Sequence, residues 1–135
     1  MGSDKLSAGA CCAMVWASAC GGGGSGGPPP PPIDRNTPVA MASMTQYAEL
    51  CDWTAAELGG YGRSMDCGGG VSVSTYPNQQ ACLSQPIAST CTATVGQYED
   101  CVAGLAGAGS LCSLASSPPA ACNPLFAMCA TAFGG

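Results

Sequence analysis

From Ala40 onward the apolar positions Ala40, Met44, Tyr47, Cys51, Ala55 and Leu58 recur at steps of three and four, while Gln46, Glu49, Asp52 and Glu57 take the other faces. That period predicts an amphipathic helix. Thr37-Pro38 supplies a start, a hydroxyl followed by proline at the first helical position, and Gly59-Gly60 supplies a stop. Downstream the same reading predicts a short helix from Tyr76-Pro77 to about Gln85, ended by Pro86, and a third from Ser89 to Leu105 with Cys91, Val95, Tyr98, Cys101, Val102 and Leu105 on one side. After a glycine-rich turn over Gly104 to Gly109 come one helical turn at Ser110 to Leu114 and a final helix. The last starts at Ser117-Pro118 or Asn123-Pro124 and runs to Gly134, burying Leu125, Met128, Cys129 and Phe133. Val71 to Thr75 alternates like a strand, but no comparable second run stands beside it, so it reads as loop. The expected fold is mainly α, a small disulfide-rich bundle of about four short helices with long glycine-rich loops.

The first third of the chain follows a different pattern. Leu6 to Ala19 is an uncharged run behind Lys5, too short for a membrane-spanning helix and suited to the apolar region of a signal peptide. Gly21 to Gly27 is glycine with one serine and Pro28 to Pro32 is all proline, so neither half has side chains to bury. A flexible glycine half of roughly 15 Å and a polyproline rod of about 15 Å would set the domain some 30 Å from its point of attachment. The organisation expected is therefore a signal peptide over 1–19, a tether over 20–36 and a helical domain over 37–135.

Ala17-Ser18-Ala19-Cys20, followed at once by glycine, resembles the lipobox of bacterial lipoproteins, with Ala17 where that family usually has Leu. The resemblance covers the first twenty residues or so, and it implies that Cys20 takes a diacylglycerol on its thiol and becomes the new N-terminus. Gly21 stands where many such proteins carry an inner-membrane retention Asp, so the resemblance implies an outer-membrane or cell-surface location. The rival is plain secretory cleavage, with Cys20 left at or near the start of the product. Parity separates the two. Removal of the leader takes away Cys11 and Cys12, and acylation uses Cys20, which leaves Cys51, Cys67, Cys82, Cys91, Cys101, Cys112, Cys122 and Cys129. That set is even and can close as bridges, whereas plain secretion would leave a ninth thiol over.

Composition narrows the function classes. The apolar content is made largely of Ala and Gly, with only 2 Trp, 4 Tyr and 2 Phe, so apolar burial is thin and covalent bridges must supplement it. Six to fifteen residues separate successive cysteines of the set, no Cys-x-x-Cys occurs and there is no His. Zinc and thioredoxin-type spacings are therefore missing, and structural disulfides are expected, with no metal and no cofactor. After Lys5 the only cations are Arg35 and Arg63, which cannot form the basic stripe that tracks a phosphate backbone, so no nucleic acid is expected. The Gly-x-Ser-x-Gly pattern at Gly23 to Gly27 belongs to the glycine run, with no strand before it, and is no nucleophile elbow; no Ser-x-x-Lys pair is present. Glu49 with Asp52 reads as a solvated acidic face, Glu99 and Asp100 as neighbours pointing in different directions, and Trp53 and Tyr61 as packing residues. No enzyme is expected. The reading is an exported lipoprotein carrying a structural or protein-interaction domain; a helical carrier of a small apolar ligand is the alternative.

Overall fold

The computed structural model describes residues 27–85 and 87–129. It is a small, helix-rich, disulfide-bonded domain with one short two-stranded sheet. The helices are α1 (Met44–Glu57), α2 (Gln79–Leu83), α3 (Val95–Gly107), α4 (Ser113–Ser116) and α5 (Asn123–Met128), and the strands are β1 (Ser64–Asp66) and β2 (Ser72–Ser74). Tight 3-10 turns occupy Val39–Met41 and Ala120–Cys122.

The two long helices begin later than predicted, for one shared reason. Ser43 caps α1: its hydroxyl accepts from the Gln46 amide and its own amide donates to Gln46 Oε1. Thr94 and Gln97 make the same reciprocal pair at α3. Each box satisfies two amides that a helix start leaves orphaned. Thr37-Pro38 and the residues just before Val95 pair with one another, and the Val39–Met41 turn follows before Ser43. The Val39 amide donates to Ala93 O and the Val95 amide to Thr37 O, with Pro38 opposite Thr94 as an antiparallel bridge. Thr37-Pro38 is therefore a strand-like contact, and Ser89 to Thr94 lies outside α3. α2 is likewise capped by Asn78, whose Oδ1 accepts from the Ala81 amide, and ends at Leu83.

Residues 64–74, expected as loop, form a hairpin. Ser64 pairs with Ser74, Met65 with Val73 and Asp66 with Ser72. Gly68, Gly69 and Gly70 all take positive φ, a sequence of conformations open to glycine and costly for any residue with a Cβ. No alternation betrays β1, because the hairpin is held by its turn and by a covalent bridge rather than by a buried face; only Met65 and Val73 are even half-buried.

Gly104, expected in a turn, is helical. A Cβ there would meet the Pro119 ring at 3.1 Å, so its bareness lets the 120–122 turn press onto α3. α5 starts at Asn123-Pro124 and its helix ends at Met128, with Cys129 already non-helical; the prediction for Phe133 and Gly134 falls outside the described residues, as does Pro86. Among the described residues, the five helices correspond to the four helices and the one helical turn read from the sequence.

All eight cysteines of the domain are bridged: Cys51 to Cys82, Cys67 to Cys112, Cys91 to Cys129 and Cys101 to Cys122. The first joins α1 to α2 and the last joins α3 to the 120–122 turn. Cys91, Cys101, Cys122 and Cys129 share one buried cluster with Ile33, Val39, Leu50, Val95, Leu105 and Leu125. Two cystines thus serve as core side chains as well as cross-links.

Candidate functional site

Ile33 is buried in that core although composition assigns it to the tether. Around it, residues from Pro28 to Asn36 lie against the domain as a strap. Trp53 Nε1, projecting from α1, donates to Pro28 O at 3.1 Å, fixing the start of the proline run. Arg35 fixes the other end by reaching α3: Nη1 donates to Glu99 Oε2 at 2.9 Å, and Nη2 donates to Asp100 Oδ1 at 2.6 Å and to Gly96 O at 3.2 Å. The Gly96 amide returns a bond to Arg35 O at 2.9 Å. A Cβ at Gly96 would lie 3.0 Å from the Arg35 side chain, so glycine permits this approach. The domain boundary expected at Thr37 therefore moves back to Pro28, because one apolar residue and one guanidinium give the run a reason to order that proline composition alone lacks.

Glu99 and Asp100, expected to point apart, converge on the same guanidinium. The Glu99 side chain is almost fully buried, with Oε2 paired and Oε1 lacking a hydrogen-bond partner. Burial pushes its carboxyl above the ordinary range; the Arg35 charge offsets part of this and Asp100 adds to it. Asp100 is exposed, and its hydrogen bond is the main reason Arg35 holds its proton more tightly still.

The remaining candidates serve packing. Glu49 is exposed, and Asp52 accepts from the Tyr61 hydroxyl and from Gln79 Nε2, tying α1 to the following loop and to α2. Trp53 is buried. Tyr47 donates to Gln85 O, and burial pushes its phenol up to about 12. Tyr98 shares a hydrogen bond with Thr54, and burial raises it too. Such hydroxyls stay protonated at neutral pH and link elements rather than offering a base. Among the described residues, no group of three His, Cys, Asp or Glu is placed to hold a metal ion, and no helix is long and apolar enough to cross a membrane. Cys20, the predicted acylation site, lies outside the described residues.

The described residues include two half-open clefts. One of about 150 Å³ lies between Glu57, Arg63, Met65, Leu105 and Leu111. Another, of about 140 Å³, lies at the start of α1 and is lined by Val39, Ala40, Ala42, Met44, Tyr47 and Ile87.

No family model, no curated protein and no solved structure matches the chain.

Proposed function

We propose that this chain is an exported bacterial lipoprotein, attached to the outer membrane or cell surface through Cys20, whose disulfide-bonded domain is an interaction module. The observation that carries this reading is the closed pairing of the eight downstream cysteines. The domain makes no demand on a ninth thiol, so Cys20 is free for an acyl chain, and four bridges fit an oxidising compartment. The strap supports it too. It carries the chain out of the domain beside Trp53 and leaves only the glycine-rich stretch before Pro28 as spacer, reducing the stand-off from some 30 Å to roughly 15 Å. A carrier of drug-sized apolar ligands needs a pocket of about 300 Å³ or more. Each of the two clefts described above is near half of that, so neither supports the carrier reading.

The test is export of the full chain in a bacterium with two membranes, followed by fractionation and mass measurement of the N-terminal peptide. The expected result is a membrane-bound product starting at Cys20 with diacylglyceryl and amide-linked acyl groups, and its release into the soluble fraction by Cys20→Ser. A soluble wild-type product with an unmodified Cys20 would overturn the proposal.

A further inference from the structure

All four bridges join residues between Cys51 and Cys129, so the cross-linked body of the domain closes without the strap. Pro28 to Asn36 carries no cysteine and is held by side chains and hydrogen bonds alone. It joins the body at a local turn, where Asp34 Oδ1 accepts from the Asn36 amide and Asp34 O from the Thr37 amide.

The seat under the strap has the chemistry of a peptide receptor. A proline run has no N–H to give and offers only its carbonyls, and an indole can only donate, so Trp53 Nε1 on Pro28 O is a matched pair. Farther along the strap, Ile33 is sunk in the core at 7% exposure. At the far end Arg35 meets Glu99, Asp100 and Gly96 O on α3. An aromatic donor, an apolar socket and a carboxylate pair are thus laid out along one extended segment, as in grooves that read proline-rich ligands. Withdrawing the strap would leave the buried Glu99 carboxylate, one oxygen of which is already unpaired, without its cation. Breaking such a pair from one side is costly, whereas exchanging one guanidinium for another conserves it.

We propose that the seat between α1 and α3 is a recognition site for a proline-rich segment ending in arginine on a partner protein, and that the strap is its built-in competitor. Tethering gives the strap an effective concentration on the order of millimolar, so a partner displaces it only by matching all three contacts. The proposal rests on the interaction-module reading and deepens it by giving the partner's chemistry.

The test is fluorescence anisotropy of a labelled synthetic peptide of residues 27–36, titrated with the exported, oxidised Cys20→Ser chain. That chain carries no lipid, so the result is separable from the fate of the anchor proposal. Arg35→Ala in the chain, which weakens the strap and leaves its seat unchanged, should tighten peptide binding about tenfold or more. Arg35→Ala in the peptide, or Asp100→Asn added to the Arg35→Ala chain, should weaken it by a similar factor of about ten. Circular dichroism checks that the variants fold, and amide exchange gives a reading on the chain with Arg35 in place. There the Gly96 amide and the Trp53 indole hydrogen, both bonded to the strap, should exchange faster than the Leu105 amide within α3. A peptide that fails to bind the Arg35→Ala chain at about 1 mM, or that binds as well without its arginine, would overturn the proposal. So would a single exchange rate for those three hydrogens, which would make the strap inseparable from the core.

Discussion

At the scale of single residues the informative group is Glu99, a carboxylate that the fold buries with one oxygen paired to Arg35 and the other unpaired. Its proton is held more tightly in the native state than in the unfolded chain, chiefly through burial. The stability that protonation confers is therefore fully present below the ordinary carboxylate pKa and is lost as pH rises through the higher native value. Glu99→Gln should remove this slope and leave the domain at least as stable as wild type at pH 7, because Asp100 and Gly96 O still hold Arg35. Thermal unfolding of both proteins between pH 4 and pH 8 checks it; a variant that loses more stability at pH 7 than at pH 4 would mean that the ion pair outweighs the burial cost. Sequence offered Glu99 only as a neighbour of Asp100 pointing in another direction, since the partner sits 64 positions away in a stretch that reads as spacer.

Among the elements, the hairpin differs from the helices in what supports it. α1 and α3 bury apolar faces and carry two-sided caps, whereas β1 and β2 bury almost nothing and depend on the Cys67–Cys112 bridge to join them to the segment after α3. Both cysteines of that bridge are only half-buried, while those of the other three are buried. Replacing both with serine should release residues 60–75 to fast amide exchange and leave α3 protected, since two-stranded ribbons are marginal alone. Loss of protection throughout α3 would show that the hairpin is part of the cooperative core. Helix interiors were legible from periodicity and the Ser/Thr-x-x-Gln boxes at Ser43 and Thr94 stand in the sequence. What hid the starts was the pairing of residues 37–39 with 93–95, a contact between stretches each of which, taken alone, accepts a helix.

For the whole molecule, stability should reside in sulfur as much as in the core. Each bridge closes a loop with its ends 21 to 45 positions apart, and contributes about 2 to 4 kcal/mol, so the four together rival the net stability of an ordinary domain. The oxidised domain should keep its helical ellipticity on moderate heating and lose most of it in excess reductant; unchanged ellipticity after complete reduction would show a self-sufficient core. The cysteine content, the absence of His, the scarcity of charge and the 3.6 periodicity already specify a helical, cross-linked module, because these are counts and local repeats that need no knowledge of neighbours. Which of the many possible pairings forms, that Pro28 to Asn36 is strap and not spacer, and that Glu99 and Asp100 share one guanidinium all depend on contacts far apart along the chain. Such contacts are set by close packing in three dimensions, and neither composition nor periodicity carries that information.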